Sequence, residues 1–102
     1  MDRACDLDGR NSLDGEFCTM TVMTGKHAMM QMLQAEGVKY VFGNPGTSES
    51  AMMDAIEHYP DLNYVLVTQE GVAVGMADSY GRATGKPAFV NIHIETGLAN
   101  AI

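Results

Sequence analysis

The chain has 102 residues, which is the size of one small domain, and its hydrophobic content of 46% is enough to build a core. Thirteen acidic residues against six basic ones give a formal net charge of −7, and the basic residues form no cluster, which argues against nucleic acid and anionic membranes as partners. No apolar run approaches the roughly 18 residues that a membrane span needs.

Residues 1–23 are predicted to form a disordered leader. The opening MDRACDLDGRNSLDGEFCTM mixes acidic residues, Gly and Asn without a helical or strand period, and Met20 and Met23 are alternative starts. Cys5 and Cys18 lack the spacing of a metal site, and no secretory signal precedes them. The sequence therefore predicts a cytoplasmic, thiol-reducing compartment and no metal site.

Residues 24–102 are predicted to alternate helices with short buried strands. The first helix, GKHAMMQMLQAE, ends at Gly37, and the strand KYVFG follows it. The second helix lies in TSESAMMDAIEHYP, with Thr47 or Ser48 as its cap and Pro60 beyond its end. The methionines of these two helices are expected to fill the core: Met29, Met30, Met32, Met52 and Met53.

The rest of the chain continues the same alternation. The strand NYVLV leads to a helix in GVAVGMADSYGRATG that Gly85 and Pro87 end, and the strand PAFVNI follows. ETGLANAI is interpreted as a loop and the opening of a fourth helix. Apolar strands separated by helices predict an α/β fold with a parallel sheet and helices on both faces. Three strands would leave an open sheet edge, so we expect an incomplete domain, a fragment of a larger protein.

Three polar residues follow the three strands: Thr47, Glu70 and His93. Ligands of open parallel sheets bind beyond the carboxyl ends of the strands, so these residues are candidates to meet at one edge. Simpler roles remain open: Thr47 as a helix cap, Glu70 as the complement of a helix N-terminus, and His93 as a structural histidine. The segment GNPG is a further candidate as a phosphate loop, although it matches no nucleotide-binding motif.

Together, GVKYVFGNPGTSE, TQEGVAVGMADSYGRATGKPAFVNIH and TGLANA resemble the N-terminal pyrimidine-binding domain of thiamine-diphosphate-dependent enzymes. The resemblance covers about residues 24–102 and favours the branch of benzoylformate decarboxylase and the acetolactate-synthase-like proteins. It implies that Glu70 binds ring nitrogen N1′ of the cofactor's aminopyrimidine and so activates the cofactor. The resemblance also implies a dry site, in which burial raises the pKa of the Glu70 carboxyl and the helix N-terminus lowers it.

The resemblance also implies roles for the other residues of these motifs. Thr47 takes the position of a serine that contacts the substrate carboxylate, and His93 that of a histidine that assists proton transfer. The cofactor site is implied to comprise Glu70, Asn44, Pro45, Gly46, Gly97 and Asn100. Ile94 and Glu95 stand where the family has small residues, and the helix after Glu70, with Gly71, Gly75 and Ala77, is implied to pack closely near a dimer interface.

The implied function is a part of a 2-oxo acid decarboxylase or carboligase that binds thiamine diphosphate. Mg²⁺ and the diphosphate belong to a second domain with a G-D-G motif that this sequence lacks, supplied by a partner subunit or a C-terminal part. A homo-oligomer is implied, FAD has no support, and this chain alone is expected to be inactive. The alternative is a non-catalytic assembly subunit or relic that retains the fold.

Overall fold

The computed structural model describes residues 22–102, so the predicted leader lies almost wholly outside the described residues. Helices and strands alternate as the sequence predicts. The helices are α1 (Gly25–Ala35), α2 (Ser50–Ile56), α3 (Glu70–Thr84) and α4 (Ile94–Ala101), and the strands are β1 (Tyr40–Gly43), β2 (Asn63–Leu66) and β3 (Phe89–Asn91). A single turn of 3-10 helix, Thr47–Glu49, precedes α2. Among the described residues, no helix is long and apolar enough to cross a bilayer.

The three strands form one parallel sheet in the order β2-β1-β3. Phe42 of the central strand pairs with Val65 on one side and with Val90 on the other. The chain thus moves from β1 to β2 in one direction and returns past β1 to reach β3. Because crossovers between parallel strands are right-handed, this reversal places the two connecting helices on opposite faces of the sheet. The predicted α/β sheet with helices on both faces is confirmed.

Each face of the sheet has its own hydrophobic core. On the first face, Met30 of α1 packs with Ala55 of α2 and with the buried Val38 and Leu62. On the second face, Phe42 packs with Val67 and with Ala73 of α3. Apolar strands with both faces covered read as continuous hydrophobic runs, which is why the strands were recognisable in the sequence.

Glycines end two helices through a left-handed backbone. Gly37 follows α1 with a φ of 77°, and Gly85 is the C-cap of α3 with a φ of 67°. A side chain at such a φ meets the backbone, so glycine is the residue that ends a helix this way at least cost. The predicted ends of both helices are confirmed.

Three local predictions are wrong. Thr47 and Ser48 lie inside the 3-10 turn and not at a cap position, which Gly46 holds. The segment that begins with Glu95 is not a loop, because α4 already starts at Ile94. Met32 is not core, since its side chain is 68% exposed on the outer side of α1.

Candidate active site

Glu70 is the first residue of α3, directly beyond β2, and only 6% of it is exposed. The preceding residue, Gln69, caps the helix by accepting the backbone N–H of Val72 at 2.9 Å. The Glu70 carboxylate accepts a hydrogen bond from the Asn100 side-chain amide at 3.2 Å and a longer one from that of Asn44 at 3.4 Å. A carboxylate from α3 is therefore held by amides of α4 and of the loop after β1.

The surroundings of Glu70 lower its pKa. The largest cause is the backbone N–H of Glu70 itself, which belongs to the positive end of α3, followed by the Asn100 amide. Burial opposes both, and Asn44 and the charge of His93 add smaller lowering effects. Of the two opposing influences that the sequence suggests, the helix terminus and the amides outweigh burial. Glu70 is therefore ionised at neutral pH.

Two glycines let α4 approach Glu70 closely. A Cβ added at Gly97 would lie 3.1 Å from both Cγ and Oε1 of Glu70, and one at Gly71 would lie 2.8 Å from the backbone oxygen of Asn100. The sequence-based prediction of close packing through small residues therefore holds at Gly71. At Gly75 an added Cβ would meet nothing within 4 Å in this chain, and packing there against a second subunit stays a prediction.

His93 lies just beyond β3 and is bound to the loop after β1. Its Nδ1 is 2.8 Å from Oε2 of Glu49, and the same oxygen accepts the backbone N–H of Gly46 at 2.7 Å. The imidazole lies against Gly46, where an added Cβ would come within 2.1 Å of Cε1 and 2.4 Å of Nε2. Any larger residue at position 46 would displace the ring.

The pKa of Glu49 is lowered, first by the backbone N–H of Gly46 and then, against an opposing effect of burial, by the His93 side chain. A carboxylate only accepts hydrogen bonds, so His93 donates its proton from Nδ1. Glu49 stands three residues after the N-cap Gly46, which is the spacing of a capping box, but the sequence analysis placed the cap at Thr47 or Ser48 and so missed Glu49. Nothing in the sequence indicates its contact with His93.

Near Glu49 and His93, the side chain of Tyr64 in β2 reaches across the central strand β1 to Asn91 of β3. Its hydroxyl donates to Oδ1 of the buried Asn91 at 2.8 Å, and a Cβ on Gly43 would come within 2.6 Å of that hydroxyl. Burial raises the pKa of Tyr64 to about 12, and the negative charge of Glu49 contributes. The sequence analysis did not identify Tyr64 and Asn91 as site residues, because both lie within segments that were interpreted only as apolar strands.

The remaining candidates lie around these groups. Thr47 is exposed in the 3-10 turn between Gly46 and Glu49, and Pro45 is partly buried in the same loop. Ile94, directly after His93, has a φ of 50°, a strained conformation for a β-branched residue. Glu70, His93 and the loop of Thr47 therefore meet at one edge of the sheet, at the carboxyl ends of the strands. This edge includes the switch point between β1 and β3, where ligands of open α/β sheets bind.

Comparison with known proteins places this arrangement among enzyme domains. Residues 23–102 match the family model of the thiamine pyrophosphate enzyme, N-terminal TPP binding domain. The chain is 41% identical over 76 residues to benzoylformate decarboxylase of Pseudomonas aeruginosa, an alignment that covers 74% of this chain and 14% of that protein. It is 41% identical over 83 residues to the acetolactate synthase large subunit of Haemophilus influenzae, covering 81% of this chain and 14% of that protein.

A solved structure shows the same fold. The crystal structure of benzoylformate decarboxylase from Polynucleobacter necessarius superposes with a TM-score of 0.68 at 38% identity, covering 78% of this chain and 15% of that chain. The chain thus spans about a seventh of the length of each of these relatives.

Proposed function

Because the chain belongs to the family of thiamine pyrophosphate enzymes, as an N-terminal TPP-binding domain, we propose that it supplies the pyrimidine-binding half of the active site of a 2-oxo acid decarboxylase or carboligase. The observation that carries this proposal is the buried, ionised Glu70 at the carboxyl edge of the sheet. The names of its relatives, a benzoylformate decarboxylase and an acetolactate synthase, support both reaction classes.

The residues present fit an aminopyrimidine. Glu70 offers carboxylate oxygens to a ring nitrogen, and the amides of Asn44 and Asn100, now on that carboxylate, can donate to or accept from a polar ring. A side chain at position 97 would lie against Glu70 and cover it, and Gly97 leaves Glu70 uncovered on that side. The same segments, with Pro45 and Gly46 of the loop after β1, would hold the pyrimidine end of thiamine diphosphate.

When bound, thiamine diphosphate supplies an electron sink for the carbanion that decarboxylation of a 2-oxo acid leaves. The ionised Glu70 would accept a hydrogen bond from the ring nitrogen and so favour the form of the ring in which that nitrogen carries a proton. His93 would transfer protons to and from the substrate, and the exposed hydroxyl of Thr47 would bind the substrate carboxylate. Ile94, whose side chain is half exposed beside His93, adds apolar surface where the substrate would lie.

The diphosphate and Mg²⁺ are proposed to be bound by a domain outside this chain. In residues 22–102, no three His, Cys, Asp or Glu side chains are grouped so that they could hold a metal ion. We infer that a diphosphate domain, in a partner subunit or in a further part of the same polypeptide, completes the site in a homo-oligomer of the cytoplasm. FAD binding has no support in these residues.

The alternative of a non-catalytic subunit or relic is not favoured. The relatives are enzymes, and a fold retained only for assembly needs neither a buried carboxylate with two amide partners nor a histidine bound to a second carboxylate.

The test is the substitution Glu70→Gln in the full-length enzyme. A general acid–base contact accounts for a factor of about 10² to 10⁴ in rate, so exchange of the cofactor's C2 proton should slow by at least about tenfold. The exchange is measured by NMR after acid quench, with Glu57→Gln at the exposed end of α2 as the matched control. Unchanged exchange in Glu70→Gln would show that Glu70 does not activate the cofactor.

A further inference from the structure

Glu49 joins two parts of the site through a single oxygen. Its Oε2 accepts the backbone N–H of Gly46 and the Nδ1 proton of His93, at 2.7 and 2.8 Å. Both distances are short for nitrogen donors, as charge-assisted hydrogen bonds are. The two donors come from the loop after β1 and from the segment after β3, so the carboxylate ties together elements on either side of the switch point.

A helix cap alone does not explain this geometry. Capping the turn at Thr47–Glu49 requires only the bond from Gly46. The carboxylate is instead turned so that the oxygen that caps the turn also binds the imidazole, and its side chain is only 15% exposed. Gly46 contributes space as well as a donor, since a Cβ there would overlap the ring. Backbone and carboxylate thus fix the ring from two sides.

We propose that Glu49 is a positioning residue, which holds His93 in the tautomer whose Nδ1 carries the proton and whose Nε2 exchanges protons with the substrate. This proposal rests on the proposed function for the identity of the reaction, but the tautomer itself does not depend on it. An imidazole free in water places its proton mainly on Nε2, and the hydrogen bond that one ring nitrogen makes decides the state of the other.

The proton balance of the pair is simple. In the neutral ring the proton stays on Nδ1, which donates it in a hydrogen bond to Glu49. The lone pair on Nε2 then accepts one proton from a substrate group. The resulting imidazolium is stabilised by the adjacent carboxylate, and Nε2 later returns the same proton. Glu49 stays ionised throughout, in the way that the aspartate of a catalytic triad orients its histidine without taking the proton.

The deciding experiment is nitrogen NMR of the full-length protein labelled with ¹⁵N-histidine, without cofactor. The His93 signals are assigned by their loss in His93→Asn. In the wild type the neutral ring should show a protonated Nδ1 and an unprotonated Nε2. In Glu49→Ala the proton should move to Nε2. In Glu49→Gln the amide oxygen still accepts from both donors, so the Nδ1–H tautomer should persist; Glu57→Ala is the control without a link to His93.

Turnover of benzoylformate, an aromatic 2-oxo acid, gives the second readout. Glu49→Ala and His93→Ala should each lower kcat by at least about tenfold while leaving cofactor affinity nearly intact, since both act on proton transfer. If the effect of Glu49 on turnover passes through His93, the double variant should be no slower than His93→Ala alone.

The proposal is overturned if the wild-type ring carries its proton on Nε2, if Glu49→Ala leaves the tautomer unchanged, or if the two substitutions multiply in kcat. The variants can be checked for folding by thermal melting, and where Glu49→Ala does not fold, the tautomer of the wild-type ring decides the proposal. If His93→Ala leaves turnover unchanged, the proposed function of His93 is wrong. The nitrogen spectrum then still decides separately whether Glu49 fixes the ring.

Discussion

Among residues 22–102, the side chains that donate to the Glu70 carboxylate are neutral amides, and none of them is cationic. Asn44 and Asn100 donate at 3.4 and 3.2 Å, longer than the usual N–H···O distance. A cationic partner would hold the charge more strongly and would compete with a ligand. Amides satisfy the buried oxygens but can be exchanged for another donor at a modest free-energy cost. The observed partners therefore suit a carboxylate that must change partners when a ligand enters.

Among single residues, the sequence identified Glu70 and His93 but not the groups that hold them. Glu70 and His93 could be found because each follows a largely apolar strand, a position at which parallel sheets place ligand contacts. Glu49, Tyr64 and Asn91 act through contacts with residues far away in the sequence. Periodicity describes neighbours within one element, so it contains no information on such contacts.

The residue-scale prediction concerns Tyr64 and alkaline pH. Its folded-state pKa of about 12 lies above the ordinary value of 10.0, so the folded state retains the phenolic proton more strongly than the unfolded chain. The stabilisation is complete below pH 10 and should be lost progressively as the pH rises from 10 to about 12. Denaturant unfolding on both sides of this window should show a steeper loss for the wild type than for Tyr64→Phe. Parallel losses in the two proteins would contradict the assignment.

At the scale of elements, the strands and the ends of α1 and α3 could be predicted, whereas the start of α4 could not. Buried parallel strands are apolar throughout, and Gly37 and Gly85 mark helix ends by their backbone freedom. Helix α4 begins at Ile94 with a left-handed φ and no side-chain cap at His93. A β-branched residue is the least expected residue at that conformation, so the sequence pointed to a loop.

The element-scale prediction compares two glycines in helices. Ala in place of Gly inside a helix stabilises by about 0.5–1 kcal/mol when space allows. At Gly81 an added Cβ would have its nearest neighbour at an ordinary 3.7 Å, so Gly81→Ala should gain this amount. At Gly97 it would press on Ile92 at 3.0 Å and on Glu70 at 3.1 Å.

We therefore expect Gly97→Ala to gain less stability than Gly81→Ala and to weaken cofactor binding, because α4 must move away from Glu70. Denaturant unfolding and cofactor titration of the full-length protein measure both effects. Equal stabilisation with unchanged cofactor affinity would show that the approach of α4 to Glu70 is not required.

At the scale of the whole molecule, the sequence predicted the α/β class but not the strand order. The pattern of helices and strands is the same whether β3 joins the sheet beside β2 or beside β1. The observed order β2-β1-β3 depends on which way the chain turns after α3, which packs on the second face through Ala73. That choice creates the switch point at the active-site edge.

The whole-molecule prediction concerns residues 1–102 on their own. The contacts proposed for this chain are those for a pyrimidine, and the described residues contain no metal-ion cluster to meet the charge of a diphosphate. These contacts are too few to offset the cost of association, so the isolated chain should neither bind thiamine diphosphate tightly nor decarboxylate a 2-oxo acid. Calorimetry with cofactor and Mg²⁺ is the measurement. A stoichiometric micromolar isotherm would mean that this chain contains a complete binding site.

The central position of β1 has a consequence for folding on the ribosome. β1 is synthesised before both of its neighbours: Val41 meets Tyr64 of β2 early, but its other edge is closed only when Phe89 has emerged. The β1–α2–β2 unit, with the shorter loop to close, should form first during translation. Until β3 follows, the nascent chain presents a bare edge of an apolar strand, which other chains can pair with. We therefore expect the interval between the emergence of β2 and that of β3 to be the one in which this protein depends most on chaperones.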